Sequence, residues 1–427
     1  MKTIKSILII SIGVFFGMSL LFSCDSISGG KTEYTLTTTV SPLEGGTIEP
    51  SYGKFPEGET VTLSGNPISD GWRFVRWEGD LSSTQNPTSI TMNRDYTVIG
   101  IFERNTIYLG HNGITIMCPN SSVGEKGLVN GIEYESVDRD LLIQRIEEGS
   151  DLTRVCVSLI TDMTWLFWNS PINHYIGNWD VSNVTDMEGM FQYSEFNQPI
   201  GNWDVSNVTN MRKMFTGSQF NQLIGDWDLR SVVDMGGMFY DAPFNQPLGK
   251  WNVSNVRDME LMFGASHFNQ PLENWDVSNV VNMLRMFTGS QFNRPIGNWD
   301  VGNVENMEGM FWNSQFNQTI ENWDVSNVKN MGSMFYANLQ FNQPIGNWDV
   351  GNVEEMGGMF WDSVFNQPIG DWDVSSVMNM RMMFLNSRFN QPINRWCVIN
   401  IQREPLNFST GSPLLEQYKP IWGTCPD

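Results

Sequence analysis

The sequence has few of the residues that most enzymes and metal sites use. Its 427 residues include three histidines and five cysteines. It contains no C-x-x-C, H-E-x-x-H or G-x-S-x-G motif, so the sequence signatures of zinc sites and of hydrolases are missing. Carboxylates recur at equivalent positions, whereas general acid–base catalysis needs two of them in different environments. We therefore expect neither catalysis nor a cofactor.

Basic residues are also scarce. Lysine and arginine together number 25 against 47 acidic residues, which gives a formal net charge of −22. Nucleic-acid binding requires a basic face, so no nucleic-acid partner is expected. An aromatic content of 12% is too high for a disordered acidic chain. The chain is expected to fold.

Only one long apolar run is present, and it lies at the N-terminus. Lys2 and Lys5 precede the run at residues 7–22, as in a signal peptide, and the run is shorter than the roughly 20 residues of an uncleaved membrane span. It ends in "LFSC", residues 21–24, which resembles the lipobox of bacterial lipoproteins. The resemblance implies a signal peptide at 1–23, a lipid on Cys24, a tether at 24–33, and attachment to the bacterial cell envelope, with the outer membrane and cell surface as the expected location.

Residues 34–104 have the pattern of a small all-β module. Alternating stretches such as "YTLTTTV" and "ETVTLSG" are separated by turns rich in Gly, Pro and Asn. The order "GGTIEPSYGKFPEGETVTLSG", "FVRWEGD" and "YTVIGIF" resembles the divergent B-repeat module of internalin-type bacterial surface proteins. That resemblance implies a spacer or presentation module, and we see no ligand site in it.

Residues 105–154 form a separate segment. Asn112-Gly113 and Asn130-Gly131 are hairpin turn signals. The stretch "SVDRDLLIQRIEEG" predicts a short helix, with Ser136 or Asp138 as the N-cap and Gly149 just past its end. We interpret this segment as an N-terminal cap for the repeats at residues 155–396.

The rest of the chain is an array of repeats marked by tryptophan. The repeated tryptophans are Trp179, Trp203, Trp227, Trp251, Trp275, Trp299, Trp323, Trp348, Trp372 and Trp396. Their period is 24 residues, apart from one longer step at "YANLQFNQ". A fixed period of this size indicates a solenoid, and 24 residues are too few for a four-stranded propeller blade.

Each repeat predicts one coil made of a strand and a helical turn. The I-x-x-W-x-V pattern at residues 200–205 matches the strand of leucine-rich repeats. Met211, Met214 and Phe215 have the spacing of one helical face. Neighbouring strands are expected to stack as a parallel sheet with a spacing of about 4.8 Å.

The repeat "FNQPIGNWDVSNVTNM" resembles that of BspA-type leucine-rich-repeat surface lipoproteins over residues 155–396. The resemblance implies a binding or adhesive role at the cell surface. We therefore predict a β-rich or α+β fold: a right-handed leucine-rich-repeat-like solenoid at 155–396, with caps at 105–154 and 397–427.

The remaining cysteines lie at or near the ends of the array. If Cys24 carries lipid, four remain, and an even number in an exported protein predicts two disulfides. Cys156 and Cys397 occupy the slot that is Asp180 in the first full repeat, and terminal repeats need capping. We predict the pairs Cys118–Cys156 and Cys397–Cys425.

One aspartate per repeat raises the question of a metal. The set is Asp180, Asp204, Asp228, Asp276, Asp300, Asp324, Asp349 and Asp373. A ladder of calcium ions between these carboxylates is one reading. The favoured reading is structural, with each carboxylate accepting backbone N–H groups in an Asx-turn, because Asn252 fills the slot in one repeat without a charge.

Recognition is expected where the repeats differ, just after each Met-Phe pair. The aromatic residues in this stretch are Tyr193, Tyr240, Trp312, Tyr336 and Trp361, and exposed aromatics on a rigid scaffold suit protein or glycan contact. A protein ligand, on a matrix or a partner cell, is the leading prediction. Glycan binding is the alternative, and a purely structural surface-layer role would involve no ligand.

Overall fold

The computed structural model describes residues 31–69 and 71–426. The predicted signal peptide and the lipidated Cys24 lie outside the described residues. The chain forms two compact units, one ending with Trp72–Glu103 and the other beginning with Ser69–Gly71 and Arg104, and each is described by itself. Within the described part, no helix is long and apolar enough to cross a membrane.

The first unit consists of seven strands in two sheets. The strands are β1 (Glu33–Ser41), β2 (Gly46–Glu49), β3 (Tyr52–Pro56), β4 (Thr60–Pro67), β5 (Trp72–Gly79), β6 (Thr88–Thr91) and β7 (Tyr96–Arg104). One sheet has the order β3-β1-β7-β5, with β1 parallel to β7, and the other has the order β2-β4-β6. Alternate side chains, among them Leu36, Leu63 and Trp77, fill a core between them, as period-two patterning requires.

The second unit begins with two hairpins and a helix. β8 (Tyr108–Leu109) pairs with β9 (Ile116–Met117), and β10 (Lys126–Val129) pairs with β11 (Ile132–Ser136), which is also parallel to β12 (Val155–Cys156). Helix α1 (Arg139–Glu147) has Asp138 as its N-cap, one of the two caps that the sequence predicts. A 3-10 helix (Leu152–Arg154) leads into β12.

The coils of the array do not contain the predicted strand. Among the described residues no strand follows β12, and the I-x-x-W-x-V segment bends instead of extending. Trp203 donates its backbone N–H to Ile200 and Val208 donates to Val205, each closing a tight turn. The parallel pairing lies elsewhere, at single bridges such as Asp186 with Asn210 and Asn210 with Asp234.

The Met-Phe segment is a run of tight turns rather than a helical turn. The backbone N–H of Met214 donates to the carbonyl of Met211, and that of Thr216 donates to Lys213, as in four-residue β-turns. Lys213 has φ of 56° and Gly217 has φ of 61°, and left-handed residues cannot continue a right-handed helix. The structure is therefore a β-rich repeat array without the strand and helix of a leucine-rich repeat.

Successive coils are joined by aligned backbone hydrogen bonds. Four N–H groups per coil donate to the next one: Met187 to Asn210, Gly189 to Arg212, Phe191 to Met214, and Tyr193 to Thr216, at 2.8–2.9 Å. At the N-terminal end the carbonyl of Thr164 accepts instead from the guanidinium of Arg139, at 2.7 Å. The first coil is thus capped by a side chain from α1.

The apolar columns form one continuous core. One coil shows the pattern: its buried side chains, each at most 4% exposed, are Ile200, Trp203, Val205, Met211 and Phe215. Phenylalanine rings of neighbouring coils stack at 5.4–5.9 Å in one column and at 6.2–6.3 Å in a second. The tryptophan, methionine and phenylalanine positions are therefore core, as the sequence indicates.

Both ends of the array carry a disulfide. The structure pairs Cys118 with Cys156, whose Cα atoms are 6.2 Å apart, and Cys397 with Cys425, whose Cα atoms are 4.0 Å apart. Both members of the first pair are fully buried in a small core below the array. At the other end a 3-10 helix (Glu416–Tyr418) belongs to the segment that covers the last coil.

Candidate binding surface

The repeated aspartates build turns inside their own coils. In the coil of Asp204, one carboxylate oxygen accepts the backbone N–H of Ser206 at 3.1 Å and its hydroxyl at 2.6 Å. Asn252 makes the same two bonds to Ser254, at 3.1 and 2.7 Å. Because the uncharged amide oxygen of Asn252 accepts the same two hydrogen bonds, the turn does not require the negative charge of aspartate.

In the coils of Asp204, Asp276 and Asp324, these bonds go to one oxygen of each carboxylate, Oδ1. Hydrogen bonds from the Ser278 side chain and backbone lower the pKa of Asp276, and those from Ser326 lower the pKa of Asp324. The side chain of Arg230 lowers the pKa of Asp228. In the described part of the chain no three His, Cys, Asp or Glu side chains are grouped to hold a metal ion.

The Asx-turns give a prediction at Asp276. We expect Asp276→Asn to melt within about 1 °C of the parent at pH 7, and Asp276→Ala to lose about 1 kcal/mol because both Ser278 bonds disappear. The pKa of the Asp276 carboxyl is lower in the folded chain than its value of about 3.9 in the unfolded chain. The charged carboxylate therefore stabilises the folded state above about pH 3.9, and this stabilisation is lost as the pH falls through the folded pKa. Asp276→Asn should therefore lose less stability than the parent between pH 5 and pH 3 in thermal melts. Equal melting of the Ala variant at pH 7 would contradict this account.

Amide side chains link coils on the turn face. The Asn197 side chain accepts the backbone N–H of Asn221 at 2.9 Å and the Gln222 amide at 3.0 Å. The indole N–H of Trp227 donates to the carbonyl of Ile200, at 3.1 Å. Both patterns recur down the array, so these constant residues are engaged in coil-to-coil bonding.

A second polar ladder precedes each first methionine, and it was not predicted from the sequence. Its members are Asp162, Asp186, Asn210, Asp234, Asp258, Asn282, Asn306, Asn330, Glu355 and Asn379. Each side chain accepts the backbone N–H of the residue two positions later, as Asp162 does from Thr164 and Asp234 does from Gly236, both at 2.8 Å. This column could have been recognised in the sequence, because the residue before the first methionine of each repeat is always an acid or an asparagine.

Arg212 neutralises the most crowded part of that ladder. Its guanidinium lies 3.5 Å from Asp234, 3.7 Å from Asp258 and 2.9 Å from Glu260. Burial nevertheless raises the pKa of Asp234, against the hydrogen bond from Gly236 and the charge of Arg212. An arginine of one coil thus forms ion pairs with carboxylates of the next two coils.

The predicted recognition aromatics fall into two groups. Trp312, Tyr336 and Trp361 stack on one another, with ring centroids 5.2 and 4.3 Å apart, and all three are half-buried, as is Tyr240. Tyr336 lies between the two indoles, and the Arg285 guanidinium carbon lies 5.2 Å from the centroid of the Trp312 ring. Tyr193 alone of the five is exposed, at 50%.

Two further exposed aromatic residues of the array were not predicted from the sequence. Trp165 is 41% exposed and Trp168 is 56% exposed, and they belong to the first coil. Trp168 corresponds to Trp312 in the repeat alignment. The degenerate sequence of the first coil hid this correspondence, which counting back by 24-residue steps would have revealed.

Two family models match this chain. The model described as "Mycoplasma protein of unknown function, DUF285" matches overlapping segments at 142–246, 192–291, 218–315, 241–336 and 312–417, more than half of the chain. The chain belongs to the DUF285 family. The second model, a divergent InlB B-repeat domain, matches residues 36–106 and confirms the resemblance seen in the N-terminal module.

The DUF285 matches together span residues 142–417, which include the whole array and a part of each cap. The two families suggest an exported protein with a non-catalytic role at the surface. No curated protein and no solved structure matches the chain.

Proposed function

We propose that this DUF285 protein is a lipid-anchored binding protein of the bacterial cell surface, and that it adheres to another protein. The array acts as a rigid scaffold, as in the BspA-type surface proteins that its repeats resemble. The B-repeat-like module carries the scaffold away from the envelope, and no reaction is catalysed.

This proposal rests on a difference within each coil between constant residues, which are bonded to neighbouring coils or turns, and variable residues, which are exposed. Constant residues such as Trp203, Asn197 and Asp204 are engaged by neighbouring backbone or side chains. The positions of the exposed aromatics Trp168 and Tyr193 hold different residues from coil to coil, and the side chains of these two form no hydrogen bond or ion pair within the described residues. A scaffold that keeps its structural residues constant and varies its surface is suited to binding.

Glycan binding receives less support at the residues first expected to carry it. Stacking on a sugar needs an open ring face, whereas Tyr336 lies between two indoles and Trp312 contacts both Tyr336 and the Arg285 guanidinium. A purely structural surface-layer role is the remaining alternative, and it predicts that no soluble ligand binds.

The proposal is tested with a soluble form of the mature chain that omits Cys24, residues 25–427, in solid-phase binding to panels of matrix proteins and of glycans. We expect saturable binding to a protein and none to bovine serum albumin, which serves as the control. Failure of every panel member to bind would favour the surface-layer role.

The anchor is tested separately through Cys24. We expect the full-length protein expressed in a bacterial host to incorporate labelled palmitate and to fractionate with membranes. Cys24→Ser should abolish labelling, because the thiol is the acylated atom, and should leave unprocessed precursor of higher mass. Undiminished labelling of the variant would contradict lipidation at this residue.

A further inference from the structure

A cleft lies at the C-terminal end of the polar ladder that precedes each first methionine. We name it the C-terminal cleft; its volume is about 550 Å³ and its lining includes Met380, Arg381 and Arg403. Asn379 is bridged to Glu355 of the preceding coil and, within the described residues, to no residue after it. The cleft therefore lies where each earlier coil meets the ladder residue of the next coil.

An additional residue in the last coil interrupts the ladder. In each coil the second residue after the first methionine donates its N–H to a carbonyl of the next coil. In the coil before the last, that carbonyl belongs to Arg381, four residues after Val377. In the last coil it belongs to Leu406, five residues after Ile401, which is the equivalent of Val377. The longer path carries the chain away from the ladder position.

The interruption leaves two backbone groups open at the cleft. On its closed side, Asn379 donates its N–H to the carbonyl of Glu354 at 3.4 Å, and its carbonyl accepts the N–H of Met356 at 3.0 Å. On its open side the corresponding groups are the Met378 carbonyl and the Met380 N–H, and neither has a hydrogen-bond partner among the described residues. Met380 is buried, and a buried N–H without an acceptor is unfavourable. The two groups are placed to hold one residue of a parallel extended segment.

Two arginines in the cleft have no carboxylate partner. Arg381 and Arg403 are exposed, and neither forms an ion pair within the part of the chain that the structure describes. Glu404 also lines the cleft, but its carboxylate accepts the ammonium of Lys419 at 2.9 Å. A pair of free guanidinium groups beside an open N–H favours an anionic ligand.

An earlier coil shows which anion an arginine at this position binds. Arg212 and Arg381 both lie two residues after the ladder residue of their coil. The Arg212 guanidinium lies 3.5 Å from the carboxylate of Asp234, the ladder residue of the next coil, and 2.9 Å from Glu260 of the coil beyond. It also lies against Gly236, where an added Cβ would collide with its Nη1. An arginine here thus pairs with an aspartate that is followed, two residues later, by glycine.

The surroundings of the two arginines match. Asn210 precedes Arg212 and Asn379 precedes Arg381 by two residues, and each asparagine Oδ1 accepts the backbone N–H of its arginine at 3.0 Å. The amide of each asparagine also donates to an acid of the preceding coil, at 3.2 and 2.9 Å. What Arg381 lacks is a following ladder residue with a carboxylate.

We propose that the C-terminal cleft binds an extended acidic segment of another protein with the sequence Asp-x-Gly. The aspartate takes the open ladder position: its N–H donates to the Met378 carbonyl and its carbonyl accepts the Met380 N–H. Its carboxylate pairs with Arg381 and Arg403, and the glycine leaves room for the Arg381 guanidinium. Addition of an extended segment to an open backbone edge is a general mode of peptide recognition. This inference names a partner chemistry for the binding function proposed above and rests on it.

The first coil of a second copy does not offer this segment. Its ladder residue is Asp162, but the residue two positions later is Thr164 rather than glycine. The Thr164 side chain would meet the arginine, as a Cβ at Gly236 would meet Arg212. Its carbonyl also already accepts from Arg139. A separate polypeptide is therefore the occupant that fits.

The test uses residues 25–427 and the peptide SVVDMGG, which is the array's own sequence at residues 231–237. The peptide carries a neutral fluorophore and a C-terminal amide, so that aspartate is its only charge. Binding is followed by fluorescence anisotropy at about 150 mM NaCl, where long-range charge attraction is screened. We expect saturable binding, and about tenfold weaker binding of SVVNMGG, because the amide cannot form the ion pairs.

Two more peptides test the geometry. SVVDMAG should bind about fivefold more weakly, because its added Cβ collides with the guanidinium. SVVDMGG with N-methylated aspartate keeps the carboxylate but cannot donate to the Met378 carbonyl, and should also bind about fivefold more weakly. Parent-like binding of the N-methylated peptide would overturn the bridged arrangement.

Paired protein variants separate the cleft from general charge attraction. Arg381→Gln with Arg403→Gln should bind SVVDMGG about tenfold more weakly. Arg257→Gln with Arg388→Gln removes two exposed arginines that lie outside the cleft, and should leave the affinity within about twofold. Equal weakening by the two double variants would overturn the proposal. Melting curves check that both remain folded.

Two further results separate this inference from the proposed function. A protein ligand found in the panels whose binding survives Arg381→Gln with Arg403→Gln would sink the cleft proposal and leave the binding function intact. Displacement of SVVDMGG by inorganic phosphate as readily as by unlabelled peptide would assign the cleft to a small anion and overturn the peptide proposal.

Discussion

Trp275→Ala is expected to destabilise the array by about 4 kcal/mol, the usual cost of truncating a buried tryptophan. The indole is 3% exposed and stacks on Trp251 and Trp299, with centroids 6.3 and 6.4 Å away. Its N–H also donates to the carbonyl of Leu248 at 3.0 Å. Truncation leaves a cavity between two coils and an acceptor without its donor.

The effect should be local along the array. Stability in a repeat protein is close to a sum over coils and their nearest-neighbour contacts, so urea denaturation of the variant should show an earlier and broader transition. Hydrogen exchange followed by mass spectrometry should speed up most in residues 240–310 and least near residue 170. Uniform acceleration along the chain would contradict this nearest-neighbour account.

Two control variants separate the causes. Trp275→Phe keeps an aromatic ring in the stack but loses the N–H and part of the volume, so we expect a loss of about 2 kcal/mol. Trp312→Thr removes a half-buried ring at a column where Thr288 is native, and should cost less than about 1 kcal/mol. A loss at Trp312 as large as that at Trp275 would mean that the surface stack, not the core, carries the stability.

Periodicity made the array and its core predictable from the sequence. A residue that recurs every 24 positions meets its own copies in space, so Trp203, Met214 and Phe215 could be assigned to the core without knowledge of the backbone path. The same reasoning predicted that the Asp204 and Asn197 columns serve the coil. Comparison with Asn252 then separated hydrogen bonding from charge, because the array contains its own substitution.

The backbone path within a coil could not be obtained in the same way. Met211, Met214 and Phe215 have helical spacing, but the chain reaches the same spacing through turns with left-handed residues at Lys213 and Gly217. One of these is a lysine, so the repeats contain no consistent glycine signal for the turn. The spacing of apolar residues therefore identified which side chains are inside but not the conformation that puts them there.

The binding surface was the least predictable part. Trp312 and Trp168 are tryptophans at equivalent positions of different coils. The Trp312 ring is stacked on another ring and the Trp168 ring is exposed, which residue type alone does not reveal. The stack on Trp312 is made by Tyr336 of the following coil, whereas the residue one coil after Trp168 is Gln192. Exposure at this column therefore depends on which residue the neighbouring coil happens to carry, and the column varies from coil to coil.

Removal of the N-terminal disulfide is the second change with a large expected effect. We expect Cys118→Ala with Cys156→Ala to lose about 4 kcal/mol, since the bond closes a loop with a sequence separation of 38 residues and so restricts the unfolded chain. Both cysteines are fully buried. The bond joins the chain after β9 to β12, which leads into the first coil, so its loss should release the cap from the array.

A local measurement distinguishes cap release from general weakening. Hydrogen exchange should accelerate in residues 126–160 of the double variant and remain unchanged near residue 350. Cys397→Ala with Cys425→Ala, whose loop has a separation of 28 residues, is the matched control, and it should lose about 3.5 kcal/mol with the opposite distribution. Identical exchange patterns in the two variants would show that the disulfides do not act as separate end caps.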